Sequence, residues 1–316
     1  MIARFVIEFS LNADIAEVNN YDTQNIAIKT GVCYNKREKS NMRGLGRTMK
    51  NFRFSVDDCI EFLRDLSMND YRSVFDNDFL GFLQSVHLKY DAVFCLNLFY
   101  ENTTSAGFAH KKPPFCLSDM TGRYKREFEE NSDWLKFSFH AKAEHPATPY
   151  RTSGYREVFR DAQAVNAEIA RFAGRSSLSE EMTLHCGLCT REGFKGLTDS
   201  GYRIFYGYLC LNHNGDPSGS YYFDRAFLEQ NTLRRFDDNG YTFRKTDLLL
   251  NAYKHEDDMA RDLQPLIEEN LDFCELMFHE QYFYPDYVRY IERYRRIIER
   301  AAQMMTGAGY NGGFLS

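Results

Sequence analysis

The sequence lacks any apolar run that approaches the ~20 residues needed to span a bilayer, so we expect no membrane partner. Its first residues lack a basic segment followed by an uninterrupted apolar core, so we expect no signal peptide. Neither G-x-G-x-x-G nor the P-loop pattern follows any candidate strand, which lowers the case for a nucleotide-binding fold. These absences favour a globular protein without a phosphate-binding loop.

The sequence also has no excess of positive charge and no regular cysteine spacing. Its net charge of −6 argues mildly against nucleic acid as the main partner. The eight cysteines are scattered, which suits reduced and mostly buried thiols, and we therefore predict a cytoplasmic location. Cys186 and Cys189 form a C-x-x-C pair without a second pair at structural-zinc spacing and without thioredoxin-like surroundings. We interpret both thiols as structural.

The length and apolar content are sufficient for a large core. The 316 residues are 43% hydrophobic and 27% charged, which suits one large α/β barrel or two domains. Aromatic residues make up 16%, and aromatic rings line sugar-binding sites as well as cores. We predict that residues 1–50, with strands over 3–9 and 25–33 and a basic loop before residue 50, form an N-terminal extension of uncertain packing. Residues 51–316 then form the main domain.

From residue 50 onward, strands and helices alternate about seven times. Predicted strands cover 52–58, 92–99, 134–140, 182–185, 202–211, 246–250 and 273–279, and predicted helices cover 75–90, 155–172, 191–200, 259–270 and 286–305. Turn formers and aromatics between 212 and 240 predict an inserted hairpin. The alternation indicates parallel strands with helical crossovers. It favours a distorted (β/α) barrel, and an open doubly wound sheet is the alternative.

Polar residues that are unusual in apolar strands recur at the carboxyl ends of those strands: Asp57 with Asp58, His140, His185 and His279. In a (β/α) barrel these ends converge on one face, where active sites are built. We therefore expect a shared site. Imidazole and carboxylate are ligands that Zn²⁺ and similar ions favour.

His140 and Glu144 stand four residues apart, so a helical turn would place both side chains on one ion. His145 is an alternative ligand if a loop brings it to the site. A solvated Glu144 that binds nothing is the competing interpretation.

The ordered set of Asp57-Asp58, His140-x-x-x-Glu144 and His279-Glu280 resembles the polysaccharide deacetylase superfamily. That resemblance implies a distorted (β/α)7 barrel with Asp57 as general base, Asp58, His140 and Glu144 as metal ligands, and His279 as general acid. It implies one divalent metal ion, with zinc as the first choice and cobalt or another ion as alternatives. The chain departs from the family pattern in three ways. Glu144 replaces a histidine, His185-Cys186-Gly187 replaces an Arg-Pro motif, and the Asp and Trp that support the late histidine are missing.

The resemblance implies a hydrolase that removes an acyl group, such as acetyl, from an amino sugar or polysaccharide. We expect His185, Glu280 and Tyr282 to contact this carbohydrate substrate. The main alternative is a catalytically degenerate carbohydrate-binding or interaction protein on the same barrel. A third hypothesis is cleavage of a glycosidic bond by a carboxylate pair such as Asp57 with Glu280. The sequence does not indicate an oligomeric state.

Overall fold

The computed structural model of the chain describes residues 50–102, 113–146, 148–231, 233–284 and 291–315. The predictions for residues 1–49, namely two strands and most of the basic loop, lie outside these residues. In the described part of the chain, no helix combines the length and the apolar character that crossing a membrane requires.

The described residues form short strands and longer helices in alternation. The strands are β1 (Asn51–Cys59), β2 (Phe94–Phe99), β3 (Glu101–Asn102), β4 (Phe115–Cys116), β5 (Leu135–Ala141), β6 (Glu181–Thr183), β7 (Ile204–Gly207), β8 (Cys210–Leu211), β9 (Pro217–Ser218), β10 (Arg235–Asp238), β11 (Tyr241–Lys245), β12 (Leu248–Leu249), β13 (Phe273–His279) and β14 (Asn311–Gly312). The α-helices are α1 (Glu61–Met68), α2 (Asp78–Tyr90), α3 (Lys125–Glu130), α4 (Tyr155–Phe172), α5 (Arg191–Asp199), α6 (Arg225–Gln230), α7 (Glu256–Glu268) and α8 (Ile291–Gly307).

A parallel sheet forms the centre of this α/β fold. Its strand order is β12–β13–β1–β2–β5, and the short β14 also pairs with β1. All of these pairs are parallel, so the carboxyl ends of the strands lie along one edge. The register places Asp57 of β1 beside His279 of β13. Two residues that are far apart in sequence therefore become neighbours.

A second sheet contains β6, β7 and β11 in parallel and β10 antiparallel to β11. Backbone contacts join it to the central sheet on two sides. Phe137 of β5 forms a parallel bridge with Leu178, and its carbonyl accepts a hydrogen bond from the Ser179 N–H at 2.9 Å, just ahead of β6. On the other side the chain runs from β11 directly into β12. The Thr246 N–H donates to the Gly207 carbonyl of β7 at 2.8 Å, and the Asp247 N–H donates to the Glu275 carbonyl of β13 at 3.0 Å. The two sheets are thus continuous through hydrogen bonds.

The helices pack against the sheets through apolar stripes. In α4 the buried residues Val158, Ala162, Val165 and Ile169 follow one another at intervals of three or four, as one helical face requires. Gly174 follows this helix with φ +88°, a conformation that glycine adopts without steric cost. The predicted bounds of α4 and β13 match the structure. By contrast, α1 was missed, and the helix predicted over 75–90 starts as a short 3-10 turn before α2.

The segment predicted as an inserted hairpin contains several elements. β8 and β9 form a short hairpin, and α6 and β10 follow it. Aromatic rings join this segment to α5, β7 and β11: Phe194, Phe205, Tyr221, Phe223 and Phe243. A good part of the high aromatic content therefore serves core packing rather than a sugar platform.

A buried charged cluster lies near the amino-terminal ends of the strands, away from the edge that holds Asp57. Arg53 donates to both carboxylate oxygens of Glu275, at 2.7 and 3.1 Å, and to Glu181 at 2.8 Å. Its guanidinium stacks 4.0 Å from the ring centre of Tyr206, and the Tyr206 hydroxyl donates to Glu181 at 2.8 Å. All four side chains are buried. The cluster connects four strands below the candidate site, and no sequence pattern indicated it.

Candidate metal centre

Four strand ends bring carboxylates and imidazoles to one edge of the fold. Asp57 and Asp58 lie at the end of β1, His140 near the end of β5, His185 shortly after β6, and His279 at the end of β13. Asp58 has φ +59°, and the pairing with β2 shifts register at this point. This left-handed backbone interrupts the usual alternation of side chains along a strand. The two neighbouring carboxylates therefore reach different strands at this edge: Asp57 contacts Asn97 of β2, and Asp58 contacts His140 of β5.

Asp58, His140 and His185 form a compact triangle of ligand atoms. Asp58 Oδ1 lies 3.1 Å from His140 Nε2 and 3.3 Å from His185 Nδ1. The two imidazole nitrogens are 3.1 Å apart. Among the described residues, this is the group of three histidine, cysteine or carboxylate side chains whose ligand atoms all lie within 4.8 Å of one another.

The outer nitrogen of each imidazole is held by a backbone carbonyl. His140 Nδ1 lies 2.6 Å from the Thr183 oxygen, and His185 Nε2 lies 3.2 Å from the Glu144 oxygen. A carbonyl oxygen only accepts, so each of these nitrogens carries the proton. In the neutral tautomers, His140 Nε2 and His185 Nδ1 therefore present lone pairs to each other and to Asp58. Three electron-pair donors at this separation require a cation between them.

A proton on one of the imidazoles would meet this need. Burial by itself would raise the pKa of Asp58, but the contacts with His140 and His185 outweigh it and hold that pKa well below its usual range. Burial would lower the pKa of His185, but the contacts with Asp58 and Cys186 outweigh it and raise that pKa well above its usual value. The site thus favours a carboxylate facing a positive charge.

The triangle also fits a divalent metal ion. Ligand atoms at about 2.0–2.1 Å from a tetrahedral Zn²⁺ lie about 3.3 Å from one another, close to the 3.1–3.3 Å separations here. Metal-binding imidazoles usually donate their other N–H to a carbonyl or a carboxylate, as both histidines do here. Three protein ligands leave a coordination position for water or substrate, as in catalytic zinc sites.

Asp57 lies beside the triangle without joining it. Its Oδ1 accepts hydrogen bonds from the Asn97 amide at 2.6 Å and from the Ser55 hydroxyl at 3.1 Å. Its side chain is nearly buried. Asp57 is therefore placed as a second carboxylate that can act on water or substrate at the same edge.

His279 approaches from the other side. Its Nδ1 lies 2.9 Å from Asn251 Oδ1, and its Nε2 lies 3.9 Å from Asp58 Oδ2. The neutral Asn251 side chain therefore holds the outer nitrogen of His279. His279 thus lies outside the tight triangle, with Nε2 toward the shared edge.

The side chains of Glu144 and His145 are not part of the triangle, which differs from the expected ligand set. The chain leaves β5 as an irregular loop instead of a helical turn, so the i, i+4 geometry assumed for His140 and Glu144 does not form. Glu144 contributes its backbone carbonyl to His185. Burial, reinforced by the charge of Asp58, raises the pKa of its carboxyl to about 7. His185, expected to contact substrate, supplies the third side chain of the triangle.

Glu280 differs from the expected substrate contact because its side chain is fully buried. Its carboxylate accepts hydrogen bonds from the backbone N–H groups of Ile60, Glu61 and Phe62 at 2.7, 3.0 and 2.6 Å. It therefore satisfies the free donors at the amino terminus of α1. Burial, followed by the nearby charge of Glu61, raises its pKa to about 7. This placement also removes the partner that the glycosidic hypothesis assigned to Asp57.

We predict that Glu280→Ala destabilises the protein by about 1–3 kcal/mol, because three buried backbone donors lose their acceptor. Urea unfolding at pH 8, above the pKa of Glu280, measures this loss. Glu280→Gln, which keeps the shape and one acceptor, should show a smaller effect. A Glu280→Ala protein with unchanged stability and a raised KM would instead support the substrate contact expected from the sequence.

Tyr282, expected to contact substrate, lies next to His279. Its ring centre is 6.3 Å from that of His279 and 5.0 Å from that of Tyr294. Tyr282, His279 and Asn251 border a small apolar pocket with α8. A substrate contact by Tyr282 stays a prediction.

The two cysteines of the C-x-x-C pair have different surroundings. Cys189 is buried, and burial raises the pKa of its thiol. Cys186 is partly exposed beside His185 and has φ +56°. Neither forms a disulfide in the described part of the chain.

Comparison with known proteins gives similarity in structure only: no family model and no curated protein matches this sequence. Among solved structures, a 4-alpha-glucanotransferase from Thermococcus litoralis is similar with a TM-score of 0.50, 8% identity, and coverage of 85% of this chain and 40% of that one. A carbohydrate deacetylase has a TM-score of 0.44, 12% identity, and coverage of 85% and 52%. A CE4 family pseudoenzyme from Bacillus anthracis has a TM-score of 0.36, 12% identity, and coverage of 84% and 64%.

The likeness is one of fold. The match with the glucanotransferase, at a TM-score of 0.50, agrees with an α/β chain around a parallel sheet. The chain spans between 40% and 64% of the lengths of these three proteins. Activity must therefore be argued from the site itself.

Proposed function

We propose that this protein is a metal-dependent hydrolase that removes an acyl group, such as acetyl, from the nitrogen of an amino sugar or polysaccharide. The observation that carries the proposal is the triangle of Asp58, His140 and His185, in which three lone pairs converge with both outer imidazole nitrogens held. The substrate class rests on the resemblance of the ordered strand-end motifs to the polysaccharide deacetylase superfamily.

The same proposal includes a distorted (β/α)7 barrel. In support of it, backbone hydrogen bonds join the two sheets at Ser179 on one side and at Thr246 and Asp247 on the other. The strand order around the ring would then be β1, β2, β5, β6, β7, β11 continuing into β12, and β13. This arrangement would place the metal centre at the carboxyl-terminal face, where such barrels hold their sites.

When bound, a divalent ion would supply Lewis-acid polarisation of the acyl oxygen and make water more acidic. Asp58, His140 and His185 would hold it. Asp57 would take the proton from the attacking water, because its carboxylate lies next to the triangle and is fixed by Asn97. His279 Nε2 would give a proton to the departing amine. Asn251 would keep the His279 ring turned so that Nε2 faces the site.

The deciding experiment measures metal content and acetate release on the same preparation. We expect about one equivalent of bound Zn²⁺ or Co²⁺, and acetate release from some member of a panel of N-acetylated oligosaccharides. A chelator should stop the release, and added Zn²⁺ or Co²⁺ should restore it. The matched control is Asp57→Asn, which should keep the metal and lower turnover by about 10²–10⁴-fold.

The alternative is a catalytically degenerate carbohydrate-binding protein on the same fold. Bound metal together with oligosaccharide binding, but without acyl release from any substrate, would favour it. Absence of any bindable divalent ion would reject both the metal centre and the hydrolase.

A cytoplasmic location and a carbohydrate partner belong to the proposal, and reduced cysteines in the described residues are consistent with that location.

A further inference from the structure

A layer of buried polar side chains lies directly below the candidate site. It contains Ser55 of β1, Asn97 of β2, Ser138 of β5 and Thr183 of β6, all nearly or fully buried. Buried polar groups are costly unless they are hydrogen-bonded, and these four bond to one another. The layer therefore has a defined geometry and is not a solvated gap.

Asn97 is at the centre of this layer. Its Oδ1 accepts from the Ser138 hydroxyl and from the Thr183 backbone N–H, the latter at 3.4 Å. Because a backbone N–H only donates, the facing amide atom must be the oxygen, which fixes the orientation of the amide. Its NH₂ group then points to Ser55 Oγ at 2.7 Å and to Asp57 Oδ1 at 2.6 Å.

The two oxygens of Asp57 are therefore unequal. Oδ1 receives hydrogen bonds from Asn97 and from Ser55. Oδ2 has no hydrogen-bond partner among the residues that the structure describes. Thr183 also fixes His140 through its carbonyl, so one layer holds both the base and a metal ligand.

We propose that Asn97 is a positioning residue that locks the Asp57 carboxylate through Oδ1, so that Oδ2 takes the proton from water. This inference rests on the proposed hydrolase function. A carboxylate held by one short hydrogen bond and a second donor has little rotational freedom, and a general base loses efficiency when its oxygen is misplaced by about 1 Å. The hydrogen bond to Asp57 explains why Asn97, a polar residue, occurs in the otherwise apolar strand β2.

The test compares crystal structures and kinetics of the zinc-loaded wild type with those of Asn97→Ala. We expect the Asp57 carboxylate of the variant to turn or to occupy more than one orientation. We expect kcat to fall about 10–100-fold, with KM within about threefold of the wild type and zinc content unchanged. Asn97→Ser, a smaller change at the same position, replaces Asn97→Ala if the latter does not fold.

Asn77→Ala is the matched control. Asn77 is also buried, donates its amide to a carboxylate, Asp65, at 2.7 Å, and accepts a backbone N–H, that of Leu80, at 3.0 Å. It caps α2, away from the strand ends. This variant should lose stability while Asp57 and kcat stay unchanged.

An Asp57 carboxylate that keeps its wild-type orientation in the Asn97 variant would overturn the inference, whatever happens to turnover. Equal losses of kcat in the Asn97 and Asn77 variants would overturn it too, since that result indicates a stability effect. If the wild type has no metal-dependent hydrolysis, the hydrolase proposal fails instead. The carboxylate orientation still decides whether Asn97 positions Asp57.

Discussion

Asp58→Asn is expected to lower the affinity for Zn²⁺ by about 100-fold or more, measured by competition with a chromophoric chelator. Loss of an outer partner of a metal ligand already costs about 10–100-fold, so loss of the charged ligand itself should cost at least as much. Asparagine is the appropriate replacement because Asp58 has φ +59°, and asparagine tolerates this left-handed conformation better than alanine. The fold should therefore survive the change.

The third ligand can be tested in the same assay. His185→Ala should weaken Zn²⁺ binding as strongly as Asp58→Asn, because His185 Nδ1 is one of the three converging atoms. Glu144→Gln is the control and should leave the affinity within about threefold, since only the backbone of Glu144 contacts the triangle. The opposite result would restore the ligand set expected from the sequence: Glu144→Gln would bind Zn²⁺ weakly, and His185→Ala would bind it with wild-type affinity.

Arg53→Met is expected to destabilise the metal-free protein by about 3–5 kcal/mol in guanidinium unfolding. Arg53 is the counter-charge of Glu181 and Glu275, and all three are buried. Removing one member of a buried ion group leaves the others unpaired in a medium that solvates them poorly. The expected loss is therefore far larger than that of a surface ion pair.

Two comparisons make this prediction specific. Adding Glu275→Gln to Arg53→Met should recover part of the loss, because one buried carboxyl that has lost its partner is removed. Arg126→Ala, which breaks an exposed pair with Glu130, should leave the unfolding midpoint within error. An Arg53→Met protein as stable as the wild type would mean that the cluster contributes no stability.

Much of the fold could be predicted because the periodicity of apolar residues differs between helices and buried strands. The apolar stripe of α4 and the apolar run of β13 were located to the residue. The helix α1 has a short apolar face of Phe62, Leu63 and Leu66, but Ile60 at its N-cap gives no capping signal. Its amino terminus is satisfied by Glu280, more than 200 residues away, and local capping signals do not include such a partner.

The sequence by itself determined that Asp57, Asp58, His140, His185 and His279 follow apolar strands, and parallel strands bring such ends to one edge. Only the tertiary structure decided which atoms meet. Sequence spacing favoured Glu144 as a ligand on the assumption of a helical turn, whereas the chain there is a loop. His185 reaches His140 from 45 residues away because strands β5 and β6 lie side by side in space. Contacts between strands depend on the whole sheet, which is why no local signal indicated that His185 would contact His140 and Asp58 or that Asn97 would bond to Asp57.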